Sequence, residues 1–276
     1  MLVAFWGPVQ GQTRTTSNMV ASATSIALDY PLRVLMTHTK YERSMLESAY
    51  TLLKENAIVS PLIVGMDGID RLVQCGMLTA EGIRDHAESI LKDRLDLISG
   101  PKNQDDTNFK QVLHQLFENY KRFYDLVFID ISSGTSQEIS QLVMQHADLI
   151  VVNLNQNKVV LDNFFANNDW SAVGETKKLL YCFGSYHQTS RMSLDRMART
   201  FPISKKKCAY VPHNLSFMDA QNDQQVVQFM LKARSVKKKF LEYSEEVHFT
   251  ESVRTLAAKI IDSLDLYVVA EELLND

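Results

Sequence analysis

Val3-Ala4-Phe5-Trp6-Gly7-Pro8-Val9-Gln10-Gly11-Gln12-Thr13-Arg14-Thr15-Thr16-Ser17-Asn18 joins an apolar run, two spaced glycines and a cluster of hydroxyl residues. That order predicts a buried strand, a tight turn and the first turn of a helix. Such a junction presents backbone N–H groups and the positive end of a helix dipole, which suits phosphate. A Ser or Thr after the second glycine stands where a Mg2+-coordinating hydroxyl would. The usual phosphate loop reads G-x-x-x-x-G-K-[ST]; here Gln12 holds the lysine position and Gly7 falls one residue late. A glycine turn in an ordinary α/β domain also fits this stretch, so the rest of the chain decides.

The 276 residues are 45% hydrophobic and 22% charged, enough for a substantial core and ordinary for a soluble globular chain. A formal net charge of −4 gives no global reason to expect nucleic-acid binding. Cys75, Cys182 and Cys208 are odd in number, far apart and without C-x-x-C spacing. They fit reduced, buried thiols in a cytoplasmic protein. The start Met1-Leu2-Val3-Ala4-Phe5-Trp6 carries no basic leader, and no apolar run approaches the roughly 20 residues of a membrane span.

Strands and helices alternate along the chain. Leu2–Trp6 reads as a strand buried on both faces, Thr13–Leu28 as a helix and Arg33–Thr37 as a strand. Helical spacing follows over Ser44–Leu53, Ile69–Cys75 and Thr79–Ile90, then a short strand at Asp96–Ile98. Asn108–Arg122 is amphipathic, Tyr124–Ile131 is a strongly apolar strand, and Ser136–Gln145 a helix. Leu149–Leu154, Lys178–Phe183 and Cys208–Val211 complete the strands. Lys158–Asn167, Ser193–Phe201, Gln225–Leu241 and Thr250–Tyr267 complete the helices. The alternation predicts an α/β three-layer sandwich: a mostly parallel sheet of about seven strands, helices on both faces, one domain over 1–276. Ligands on such sheets sit at the carboxyl ends of the strands.

Tyr124-Asp125-Leu126-Val127-Phe128-Ile129-Asp130-Ile131-Ser132-Ser133-Gly134 carries an acid at the tip of an apolar strand. It resembles the Mg2+-side strand of the MinD/ParA family of deviant-Walker P-loop NTPases. Four further stretches resemble that family in order. They are Ser99-Gly100-Pro101, Ala147–Val152, Leu179–Tyr186, and Val211-Pro212-His213-Asn214 followed by Phe217-Met218-Asp219-Ala220. The likeness runs from Leu2 to the helix after Gln225 and looks most like the TadZ/CpaE-like pilus-assembly branch. It implies a nucleotide site of Gly7, Pro8, Val9, Gln10, Gly11, Gln12, Thr13, Arg14, Pro212 and His213. Thr13 and Asp130 would hold Mg2+ beside ATP or ADP.

The family's loop reads K-G-G-x-G-K-[ST]. Aligned on Gly11, its two lysine positions are Gly7 and Gln12, and its two inner glycines are Pro8 and Val9. Pro8 removes an N–H donor, and Val9 disfavours positive φ. Thr37-His38-Thr39 stands where the family's second strand ends D-x-D. Phosphoryl transfer depends on positioned positive charge, and losing one such donor costs about 10²–10³ in rate. The implied function is therefore a localisation or assembly factor of pilus or secretion type, a homodimer with protein partners, which binds nucleotide weakly and hydrolyses little or none. An active partitioning or polar-localisation ATPase, with Arg14 replacing the lysines, is one alternative; a surface arginine is the plainer reading of Arg14. A nonspecific DNA-binding partition-like protein is the other.

His38 and His213 read as polar residues beside the site. The basic runs Lys205-Lys206-Lys207 and Lys232/Arg234/Lys237/Lys238/Lys239 read as solvated faces before DNA contacts. The stripe Val253, Leu256, Ala257, Ile260, Ile261 and Leu264 reads as core packing. The acidic tail Glu271–Asp276 argues against a membrane-binding end helix.

Overall fold

The apolar run Leu2–Trp6 forms β1, and side-chain alternation sends its residues to two separate cores. Leu2 and Ala4 face one cluster, Val3 and Phe5 the other. The protein is described by a computed structural model over residues 1–41, 44–50, 65–102, 106–131, 137–166, 177–235 and 244–270. The remaining strands are β2 (Val34–His38), β3 (Glu88–Leu91), β4 (Leu95–Leu97), β5 (Leu126–Asp130), β6 (Leu149–Leu154), β7 (Lys178–Tyr186) and β8 (Cys208–Pro212). They form one sheet of order β3-β4-β2-β5-β1-β6-β7-β8, parallel except for the antiparallel β3–β4 pair.

Helices cover both faces. They are α1 (Thr15–Asp29), α2 (Met45–Ser48), α3 (Met66–Gln74), α4 (Ala80–Asp85), α5 (Asp106–Asn119) and α6 (Gln137–His146). After them come α7 (Lys158–Ala166), α8 (Leu194–Thr200), α9 (Leu215–Asn222), α10 (Val226–Ser235) and α11 (Glu245–Ser263). Helices α3, α5, α6 and α7 bury Ile69, Leu113, Ile139 and Leu161 in the Leu2/Ala4 core. Helices α1, α10 and α11 bury Met19, Val226 and Leu256 in the Val3/Phe5 core. The α11 stripe lies against α1 and β8, and each such buried aliphatic stabilises the fold by roughly 1.5–3 kcal/mol. No described helix is long and apolar enough to cross a membrane.

Three local expectations are corrected. Thr79–Ile90 is not one helix: Thr79 caps Gly82, α4 stops at Asp85, and Glu88–Leu91 turns back as the antiparallel edge strand, the eighth strand among the described residues. The helix expected over Thr250–Tyr267 spans Glu245–Ser263, because Ser244 caps it by accepting from the Val247 N–H. Helix α1 begins at Thr15, two residues later than expected, because Arg14 is left-handed at φ 55°. The ends of the helices expected to reach Leu53, Asn167 and Leu241 lie outside the described residues. So do Ser132–Gly134, Lys237–Lys239 and Glu271–Asp276.

Candidate functional site

The tips of β1, β2 and β5 meet at the carboxyl edge of the sheet, where the loop 7–14 lies. Gly11 turns the chain at φ +73°, with open space around it. Gly7 is required by close approach: a Cβ there would lie 2.3 Å from Thr13 Oγ1 and 2.8 Å from Thr15 Oγ1. Gln10, Gly11 and Gln12 are exposed, Pro8 and Val9 half-buried, and Thr13 buried. The Thr13 hydroxyl lies 3.0 Å from Thr15 Oγ1 and donates at 3.5 Å to the Val9 carbonyl.

Polar residues of the sheet pin the helix start. Asn18 Nδ2 donates to Asn153 Oδ1 at 2.8 Å and to the Thr13 carbonyl at 3.3 Å. Asn153 Nδ2 donates in turn to the carbonyls of Trp6 and Val151. A polar residue inside the run Leu149–Leu154 was the sequence signal for this tie; buried amides of this kind need partners. The left-handed Arg14 carries the N-cap position of α1 without a side-chain cap bond.

Asp130 is fully buried at the tip of β5. The hydroxyl that reaches it is not Thr13's. Thr16 Oγ1 donates to Asp130 Oδ2 at 2.5 Å, and Lys40 Nζ donates to the same oxygen at 3.0 Å and to Thr16 Oγ1 at 3.0 Å. Asp130 Oδ1 accepts no hydrogen bond among the described residues. Parallel pairing of β2 with β5 sets His38 opposite Asp130 and Thr39 N–H on the Asp130 carbonyl, so the next residue, Lys40, arrives over the carboxylate. Sequence reasoning missed Lys40 and Thr16. Lys40 is 90 residues from Asp130 and becomes legible only through strand register; Thr16 becomes legible only once α1 is known to start at Thr15.

His38 is buried as the last residue of β2. Its Nδ1 accepts the Lys40 N–H at 3.1 Å, and its Nε2 lies 2.5 Å from Glu47 Oε1 and 3.2 Å from the Gly100 N–H. Gly100 N–H also donates to Glu47 Oε1, at 3.2 Å. Burial pushes the Glu47 carboxyl up, but bonds from His38 and from the N–H groups of Glu47 and Gly100 hold it below its ordinary range. This small network anchors the segment that carries Lys40.

Pro212 ends β8, and His213 N–H donates to the Tyr186 carbonyl while its ring stacks on His187 at 5.4 Å. A small cavity of about 20 Å³ joins Arg14, Ser17, Pro212, His213 and Met218. The structure thus brings Pro212 and His213 to the loop through Arg14. The Arg14 guanidinium points to Met218, Nη2 lying 4.0 Å from Sδ. A larger hollow of about 150 Å³ is lined by Arg33, Arg84, Lys92 and Tyr124 at the opposite, amino end of β2 and β5. Parallel sheets bind at the carboxyl end, so it is not the candidate site.

Mg2+ does not fit the pair Thr13 and Asp130 as it stands. The Thr13 hydroxyl turns to Thr15 and Val9, and the Asp130 carboxylate already holds an ammonium. The described residues include no group of three or more His, Cys, Asp or Glu side chains that could hold a metal ion. Of the basic runs, Arg234 is not solvated: its side chain is buried in an ion pair with Asp29, which Arg254 shares.

With this geometry the chain has a three-layer α/β fold, and that fold is similar to the fold of MinD and ParA ATPases of known structure. No protein-family model matches it and no curated protein matches it in sequence. Solved structures match along nearly its whole length. The ParA family ATPase from Chlorobium tepidum TLS is 14% identical at TM-score 0.68, covering 93% of this chain and 97% of that one. A chain of the MinC:MinD cell division protein complex of Aquifex aeolicus is 13% identical at TM-score 0.66, covering 95% of each. MinD from Pyrococcus horikoshii OT3, complexed with Mg-ADP, is 12% identical at TM-score 0.62, covering 94% of this chain and 95% of that one.

Proposed function

We propose that this chain is a localisation or assembly factor, one domain that uses a nucleotide-binding fold as a platform for protein partners and hydrolyses little or no ATP. The observation that carries this reading is the fate of positive charge at the loop. Gly7 and Gln12 stand at the two lysine positions of the resembled family, and the cation nearest the strand-tip acid, Lys40, is engaged by Asp130. Phosphoryl transfer needs positioned donors against the developing charge, and each lost donor costs about 10²–10³ in rate.

Backbone N–H groups of Gly11 and Thr13, in the turn that leads into α1, support weak binding of ATP or ADP. Pro212 and His213 would face the rest of the nucleotide. The neighbours include a MinC:MinD complex and a partition protein from Borrelia burgdorferi B31 bound to AMPPNP, which supports partners and nucleotide as classes. A homodimer in the cytoplasm, serving a pilus or secretion machine, is the finer form of the proposal and rests on the TadZ/CpaE-like look of the sequence.

A phosphate-release assay on purified protein with ATP and Mg2+ tests it. The expected result is no turnover above a buffer blank. Turnover that Asp130→Ala abolishes would establish the active-ATPase alternative instead.

A further inference from the structure

We propose that Lys40 is the resident cation of this site, standing where a phosphate-loop protein would hold a divalent metal ion, and that phosphate groups bind here without one. Asp130 is buried with 1% side-chain exposure, and a buried carboxylate needs a counter-charge. Lys40 supplies it at 3.0 Å, and Thr16 adds a hydroxyl at 2.5 Å to the same oxygen. A dication seated on the remaining oxygen, Oδ1, would lie beside that ammonium, because the two oxygens belong to one carboxylate. Like charges at such a distance repel strongly where water is scarce.

The lysine is also placed to serve an anion. Its side chain is 28% exposed while that of Asp130 is 1% exposed, so the lysine is the member of the pair that solvent reaches. Two of its three N–H groups are taken by Asp130 and Thr16. The third can meet a phosphate oxygen held at the loop. The position is fixed rather than fortuitous. Lys40 N–H is held by His38, whose ring is held by Glu47, and β2 is held in register by β5.

The metal part of this inference stands on Lys40 and Asp130 alone; the anion part rests on the nucleotide reading above. Mn2+ binding to the full chain, followed by electron paramagnetic resonance, tests the first. Lys40→Met should bind Mn2+ at least roughly tenfold more tightly than wild type, because a neighbouring like charge is gone. Lys40→Gln gives the same reading where the methionine variant does not fold. Equal Mn2+ binding by wild type and variant would overturn the proposal.

Calorimetric titration with ADP tests the second. Wild type should bind equally, within about twofold, in EDTA and in Mg2+, and Lys40→Met should bind less in EDTA. A gain of tenfold or more from Mg2+ in wild type overturns the inference. Failure of wild type to bind ADP in either buffer rejects the nucleotide reading and the anion part, while the Mn2+ comparison still decides what Lys40 does.

Discussion

Two buried carboxylates in this molecule are neutralised by side-chain cations, and they are finished differently. Asp29, at the end of α1, has both oxygens filled. Oδ1 accepts from Arg234 and from Arg254 Nη2 at 3.0 Å, and Oδ2 accepts from Ser25 Oγ at 2.9 Å and Arg254 Nε at 3.3 Å. Asp130, at the tip of β5, has one oxygen with two donors and one with none among the described residues. The first joins α1, α10 and α11 with both carboxylate oxygens in use. The second is paired with a partly exposed lysine, with bonding capacity in reserve. Burial of charge alone does not mark a functional site; what sets Asp130 apart is an unfilled oxygen at the carboxyl tip of a parallel strand, where such sheets bind ligands.

The largest expected effect falls on Asp29. Asp29→Ala leaves the Arg234 guanidinium buried without its partner and should destabilise the fold by about 3–5 kcal/mol in urea titration, with ADP binding of the folded protein unchanged. Should nucleotide binding fall instead, the division between the two carboxylates fails. Next is Gly100→Ala. A Cβ there would lie 2.0 Å from the His38 ring, and overpacking of this kind costs about 1–3 kcal/mol. Because His38 holds Lys40, this variant should also loosen the open site, seen as faster amide exchange at Thr39 and Lys40.

Lys40→Met leaves Asp130 short of its counter-charge. Since the lysine is partly solvated, the expected loss is smaller, about 1–2 kcal/mol in the same urea titration. The acid limb sharpens the picture further. The Glu47 carboxyl is held below its ordinary value of 4.5, so its contribution is complete above the unfolded-state value and is lost as pH falls through the folded one. Glu47→Gln should therefore flatten the fall in stability below about pH 4.5, measured by urea midpoints across pH. The smallest effect has the opposite sign. Arg14 holds φ 55°, which glycine adopts without strain, so Arg14→Gly should be neutral or stabilising by up to about 1 kcal/mol.

The sequence made the sheet legible wherever burial on both faces forces continuous apolar runs. β1, β5 and β6 are of that kind, and Asp130 stood out as the acid ending one of them. The edge strand β3 was not legible, because Glu88-Ser89-Ile90-Leu91 carries no strict alternation and follows directly on a capped helix. The left-handed Arg14 was not legible either, since nothing but its surroundings makes a non-glycine residue adopt positive φ. Half of the candidate site could be read from the loop itself. The other half, Lys40 over Asp130, is a product of parallel register between β2 and β5, and local spacing carries no trace of it.

A crystal structure of the protein grown with Mg2+ and a non-hydrolysable ATP analogue examines the central claim most directly. The account predicts Lys40 Nζ beside Asp130, with no metal ion on that carboxylate. An octahedral ion held by Asp130, directly or through one water, with Lys40 turned away, would contradict it.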